Sequence, residues 1–382
     1  MALKLIFVEV DNEDDAHLIF ETLNTRGKDL STGDLVKNHL TRLIKSRGKK
    51  SDFPIIQWQR ILETIDNADA DINLDTFLHH YWLSTHDYLP QKKLFKELRR
   101  RIDTKAKART LLKELQEEVI WYRQIFEPSS RKWQLQEKEI KRALEALLIF
   151  RVKQPIPMVL SLMRAWNKKH LKPKAIKRAL TAIENFHFVF TAITSQRSSG
   201  GISQMYAKSA RELNLSENLM EREKVIGELL LKLKIKQPSY EEFELHFRSL
   251  IFTRNHTKER SLIRYTLGKI HNSYNAAHTI RFSDMSIEHL IPQSLGGDDP
   301  EEEFELNVGQ LGNLLLIPGK LNSSMGDKDV RDKLKILRNE GYQFDSVLDS
   351  ALVSVSEFDF GLAGRRTREL SERAYKTVWH LH

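Results

Sequence analysis

Apolar residues recur every three or four positions along most of the chain, the period of helices with one buried face. From about residue 53 to 235 nearly every segment reads this way. WQRILETI, DTFLHHYWL, KKLFKELRRRI, ARTLLKELQEEVIWYRQIF, KEIKRALEALLIFRV, AIKRALTAIENFHFVFTAI and EREKVIGELLLKLK all predict helices, with breaks at Pro155, Pro157 and Pro173. Ahead of them, LKLIFVEV (3–10) reads as a strand without an earlier partner, so the chain is expected to begin inside a domain. EDDAHLIFETLN then places Ala16, Ile19, Phe20 and Leu23 on one helical face. TRGKDLSTGDL is a loop that re-enters a helix at Ser31 or Thr32, with Asp34 in its first turn. SQRSSGGIS (195–203) has linker composition. After KQPSYEEFELHF the texture changes: SLIRYTLGKIHNSY predicts a helix, SIEHLIP a strand, SLGGDDPEEEFELN an acidic loop, NLLLIP a second strand and KLNSSMGDKDVRDKLKILRNE a helix. The expected fold is mainly α (α+β overall), divided at 1–50, 51–238 and 239–382, with a compact strand–loop–strand–helix unit in the last part.

Composition narrows the partners. Of 382 residues, 61 are Lys or Arg against 52 Asp or Glu, a net charge of +9 that favours a polyanion such as DNA. The absence of cysteine excludes disulfides and thiolate-bound zinc. No apolar run reaches the ~20 residues of a membrane span, and a cytoplasmic protein is expected. KKLFKELRRRIDTKAKAR (92–109) holds nine basic and two acidic residues. Phe95, Leu98 and Ile102 line one face of it, leaving Lys92, Lys93, Arg99 and Arg100 to lie along phosphates or merely to be solvated. KKHLKPKAIKR (168–178) carries the same ambiguity. His79, His80 and His86 stand beside Tyr81 and Trp82, where a packed aromatic helix competes with a metal site. No phosphate-binding loop of the Gly-rich, Lys-ending kind is present.

SIEHLIPQS sets Glu288 next to His289 inside an apolar run, an arrangement that core filling alone does not need. Asn313 opens the second strand and Asn322 the following helix. A neutral imidazole with an ordinary pKa of ~6.5 can take a proton from water. A carboxylate and an amide oxygen are hard donors suited to Mg²⁺, which also binds phosphate oxygens. Neighbours on a strand point to opposite faces, so a bend or a two-sided groove is required for both to reach one phosphate.

The order Glu-His, Asn, Asn in a β-β-α frame resembles the HNH endonucleases with their ββα-metal fold. IEHLIPQS, LGNLLLI and LNSSMGDK are similar to the nuclease half of GmrSD-type modification-dependent restriction enzymes. The resemblance implies His289 as general base, Glu288 and Asn322 as holders of one Mg²⁺ (or Mn²⁺), and Asn313 as the residue that ties the strands and orients His289. It also implies DNA contacts at Gln293 and Lys328. GRRTRELSERAYKTVW resembles the closing helix of this branch, with Arg366 either a phosphate contact or a salt-bridge residue. Most HNH motifs carry Asp where this chain has Glu288. FETLNTRGKDLSTGDLVKNHL (20–40) resembles the ParB-like sensor half of the family, matching a nucleotide-handling pocket at Asn24, Arg26, Gly27, Asp34 and Lys37; a helix C-cap followed by an N-cap reads the same residues without a nucleotide. The family's upstream Gln-Arg segment is absent, so a truncated sensor remnant without autonomous nucleotide hydrolysis is expected. The implied function is metal-dependent cleavage of DNA in restriction of modified or foreign (phage) DNA, with a nucleotide, a separate sensor subunit or a second copy as further partners. The rival is a non-catalytic DNA-binding or regulatory protein of the same fold.

Overall fold

The computed structural model describes residues 31–44, 53–196, 201–274, 285–353 and 358–381. The expected strand 3–10, the helix 13–24 and the positions Asn24, Arg26 and Gly27 lie outside them. Among the described residues the fold is mainly α with one two-stranded sheet. Helices α1 (Thr32–Ile44), α2 (Phe53–Asp66), α3 (Leu74–Thr85), α4 (Leu94–Arg101) and α5 (Lys105–Phe126) belong to a first compact unit. α6 (Lys138–Ile149) belongs to a second, α7 (Ile156–Asn167) to the first again, and α8 (Pro173–His187) to the second. α9 (Gly201–Leu215) divides between them at Ala210.

The chain passes from the first unit to the second and back, with 156–168 and 210–215 returning to the first. The reason lies in α7, where every residue from Ile156 to Ala165 is buried. A helix that is buried all round must sit inside a core. α7 packs on α3 and α5, and its one buried cation, Arg164, is held by both. Arg164 donates to Glu118 from Nε (2.6 Å) and Nη2 (3.1 Å), and to Ser84 Oγ (2.7 Å). The basic stretch 92–109 is two helices, not one: α4 stops at Arg101, Ile102 caps it, and Thr104 Oγ1 accepts the Lys107 N–H to start α5. Leu94 and Leu98 are the residues α4 buries.

In the second unit α8 runs into a π-helical turn, Phe188–Ile193. α10 (Leu219–Ile235), α11 (Tyr240–Arg248) and α12 (Arg260–Tyr274) follow. β1 (Met285–His289) then pairs antiparallel with β2 (Leu314–Pro318), in the register Glu288 to Leu315 and His289 to Leu314. The acidic stretch between them is not all loop: α13 (Glu302–Gly309) gathers Glu302, Glu303 and Glu305 in its first turn, where carboxylates complement the helix dipole. After β2 the expected single helix is two, α14 (Gly319–Met325) and α15 (Val330–Asn339). Gly326, with φ +51°, ends the first, and Asp329 Oδ1 accepts the Asp332 N–H to cap the second. α16 (Ser346–Val353) and α17 (Phe360–Arg373) are the last α-helices among the described residues. Leu290, Ile317, Leu334, Leu337 and Ala363 share one apolar core, so β1, β2, α15 and α17 are fixed against each other.

Candidate functional site

Ser286 and Glu288 point to one face of β1 and Ile287 and His289 to the other, and each face meets different partners. On the first, Asn322 of α14 donates from Nδ2 to Ser286 Oγ at 3.0 Å, turning its amide oxygen the other way. Glu288 is buried and pairs with Lys333 of α15, Nζ to Oε1 2.6 Å. Lys333 also donates to the His289 carbonyl at 2.7 Å. Burial holds the Glu288 carboxyl above its ordinary range, the Lys333 ammonium pulls it back, and nearby Asp327 raises it further. Lys333 carried no signal as a functional residue in the sequence. Its one trace is a lysine placed in the apolar stripe of Val330, Leu334 and Leu337.

On the other face, His289 Nε2 lies 2.8 Å from the Phe252 carbonyl, which can only accept, so Nε2 carries the proton. Nδ1 is then the lone-pair nitrogen, and Gln293 Nε2 donates to it at 3.2 Å. Gln293 is fixed in turn by the Arg254 N–H, which donates to its Oε1 at 2.8 Å. The Phe252 ring lies 5.9 Å from the imidazole and within 22° of its plane. Burial pulls the His289 pKa down to about 4, against the opposing pull of the Phe252 carbonyl. The imidazole is therefore neutral at ordinary pH, but it is a weaker base than the unperturbed value expected from sequence.

Asn313 is fully buried and spends its side chain on the backbone. Oδ1 accepts the Ile291 N–H (2.8 Å), and Nδ2 donates to the Ile291 and Val308 carbonyls (3.1 and 2.7 Å). It ties the exit of β1 to the entry of β2; the atoms that orient His289 belong to Phe252 and Gln293. Arg366 follows the salt-bridge alternative, but in the interior and not on the surface. It is buried, pairs with Asp345 (2.7 Å), and donates to the Gly312 and Leu314 carbonyls at 2.8 and 3.0 Å. That makes it a strut under Asn313 and not a surface phosphate contact. Gly312 allows α17 this close: a Cβ there would stand 1.8 Å from the Ala363 carbonyl oxygen. Gln293, expected on DNA, is half-buried and engaged with His289. Lys328 is exposed and donates to the Ser324 carbonyl at the end of α14 (2.9 Å).

In the first unit α1 begins at Thr32, with Asp34 in its first turn as expected and Lys37 half-buried on the same helix. Its first N–H groups are not open to phosphate, because Asp75 accepts from Thr32 (3.1 Å) and Gly33 (2.7 Å). Lys92, Lys93, Arg99 and Arg100 are all exposed, and Arg100 also pairs with Glu97 at 2.6 Å. The three histidines follow the aromatic reading. His79 meets the Leu89 carbonyl, His80 the Tyr122 hydroxyl, and His86 stacks on Trp82 at 4.0 Å. Among the described residues no three His, Asp or Glu side chains gather as a metal cluster.

Glu288 and Asn322 still suit a hard divalent cation. Glu288 already holds a cation, the Lys333 ammonium, and the Asn322 amide stands on the same strand face. One or two protein oxygens, completed by water and phosphate, are what Mg²⁺ takes. No curated protein matches the chain. Among the described residues no helix is long and apolar enough to cross a membrane. Residues 237–372, which take in β1, β2 and the helices α11 to α17 up to the last residue but one of α17, match the model of the family described as GmrSD restriction endonucleases, C-terminal domain.

Proposed function

We propose that the second unit is an HNH-type DNA endonuclease that uses Mg²⁺ or Mn²⁺ and serves restriction of modified or foreign DNA in the cytoplasm. The observation that carries this reading is the environment of His289: a neutral imidazole with its proton pinned on Nε2 and its lone pair on Nδ1. His289 Nδ1 takes a proton from a water once Gln293 yields its place, the water oxygen attacks phosphorus, and the 3′ oxygen leaves, with a 5′-phosphate retained. Glu288 and Asn322 would hold the cation, whose charge would neutralise the phosphate and the departing oxygen. Lys328 and the exposed Lys92, Lys93 and Arg99 would contact the phosphate backbone without reading bases. Asp34 and Lys37 are what the described residues retain of the nucleotide-pocket reading; with the start of α1 closed by Asp75, recognition would fall to a separate sensor subunit or to a second copy.

Plasmid DNA incubated with the protein and Mg²⁺ or Mn²⁺, beside His289→Ala and Glu288→Gln variants, tests the reading. Nicked or linear product from wild type alone supports it. Supercoiled DNA equally intact in all three, with every metal tried, sinks it and leaves the non-catalytic DNA-binding protein.

A further inference from the structure

Both nitrogens of His289 are governed by one short stretch of main chain. The Phe252 carbonyl accepts from Nε2, and two residues later the Arg254 N–H holds the Gln293 that donates to Nδ1. The turn at 252–256 thus sets which nitrogen is protonated and in which plane the ring lies. A surface turn left to itself would not hold a carbonyl and an N–H to hydrogen-bond accuracy.

Something buried holds this one. Glu305 of α13 is only 5 % exposed, yet its carboxylate contributes to no apolar core. It accepts from the Thr253 hydroxyl, from Asn255 Nδ2 at 3.0 Å and from His256 Nδ1 at 3.2 Å, three residues of the same turn. Thr253 Oγ1 in turn accepts the Asn255 and His256 N–H groups, at 3.2 and 3.1 Å. The start of the turn is pinned to the end of α13, with the Phe252 N–H donating to the Gly309 carbonyl at 2.9 Å. Gly309 is needed there, since a Cβ would stand 2.8 Å from Thr253 Cγ2 and 3.2 Å from Ile251 Cβ. Burying a carboxylate is costly unless hydrogen bonds replace its water, and here all of the replacements come from one turn.

We infer that Glu305 is a positioning residue: through Thr253, Asn255 and His256 it fixes the 252–254 main chain that sets the tautomer and plane of His289. The role rests on the reading of His289 as the base, but it is visible without cleavage. Outer-layer partners that orient metal-ligating histidines are worth about 10–100-fold in affinity or activity, and the same order is expected for an oriented base.

The test labels histidine with ¹⁵N in the full chain and reads the two ring nitrogens of His289 at neutral pH, assigned by the signals lost in His289→Gln. Wild type should show a single species protonated on Nε2. Glu305→Ala and the near-isosteric Thr253→Val should each give a mixture of tautomers. Plasmid cleavage should slow by about 10–100-fold at saturating DNA, with the affinity for DNA unchanged. Glu305→Gln keeps one acceptor oxygen and should recover most of the single-species spectrum. A folded Glu305→Ala or Thr253→Val protein that keeps the pure Nε2 tautomer overturns the inference, as does one that loses cleavage with the tautomer unmoved. If circular dichroism shows Glu305→Ala unfolded, Thr253→Val decides by the same criteria. A wild type that shows the tautomer but cuts no DNA refutes the nuclease reading alone; one that cuts with mixed tautomers refutes the positioning role alone.

Discussion

Lys333→Met should destabilise the protein by ~3 kcal/mol, through the charge it leaves behind and not through lost packing. The lysine side chain is 1 % exposed and the Glu288 side chain 9 %, so water screens neither. At 2.6 Å the gross attraction is about 6 kcal/mol at an effective dielectric of ~20, most of it spent on desolvating the two ions. Breaking one side of such a pair costs about 3–5 kcal/mol because the remaining charge keeps its desolvation penalty. Methionine retains the length of the stem, which limits the cavity contribution. The assay is a double-mutant cycle by urea denaturation: wild type, Lys333→Met, Glu288→Gln and the double variant. The hydrogen bond from Lys333 to the His289 carbonyl is lost in both lysine variants and cancels in the cycle. The double variant should recover about 2 kcal/mol relative to the sum of the singles. Additivity within about 0.5 kcal/mol would show that the pair is not coupled and would refute the account of Glu288 given above.

Three further outcomes follow from other parts of the molecule. Arg366→Ala leaves Asp345 and two strand-end carbonyls unsatisfied, so thermal or urea denaturation should show a loss of at least ~3 kcal/mol; a stable variant with weakened DNA binding would restore the phosphate-contact reading. Replacing Lys92, Lys93 and Arg99 by Gln should reduce the log–log salt slope of DNA binding by about 0.9 per lost phosphate contact, up to ~3, and an unchanged slope would remove these three residues from the interface. His187 is buried beside Tyr206, and burial holds its pKa down at about 3 instead of 6.5, so the unfolded chain takes up its proton first as the pH falls. Stability should therefore be full above pH 6.5 and drop by ~1.4 kcal/mol per pH unit below it, and His187→Gln should remove that part of the slope in urea titrations between pH 7 and 5; an identical slope would place the acid sensitivity elsewhere.

The two strands and most helices of the second unit were legible because their signal is local. SIEHL and NLLLI alternate or run apolar within five residues, and in the first unit ARTLLKELQEEVIWYRQIF repeats its buried face through most of the 22-residue α5. The candidate base and the carboxylate beside it were legible for the same reason, as polar residues where the local pattern wants apolar ones. Their partners were not. The groups that set the state of His289 are a carbonyl 37 residues upstream and the turn that carries it, and a main-chain oxygen leaves no mark on residue type. Lys333 reaches Glu288 across 45 positions from an apolar stripe where a lysine reads as a helix edge. Arg366 stood open between surface and interior until α17 was seen to approach Gly312 closely enough to bury it. The break at Gly326 was readable in principle, since a glycine followed three residues later by Asp329 is a stop and a start in succession.

Strand alternation explains why a carboxylate and an imidazole can be neighbours here without neutralising each other. Each is delivered to its own cluster, Glu288 to Lys333 and His289 to Phe252 and Gln293, and burial pushes both toward their uncharged forms. The Glu288 carboxylate is matched at 2.6 Å by an ammonium that is itself almost fully buried. The end of β1 therefore presents little net charge to an approaching phosphate, although the candidate base and the carboxylate beside it both sit there. A bare carboxylate in that place would repel a polyanion at the point of closest approach, and a charged imidazole would have no lone pair to offer. The Lys333 pair lets the carboxylate wait beside a polyanion, and the 252–256 turn keeps the lone pair of His289 on the nitrogen that a side chain as small and neutral as Gln293 can cover and release.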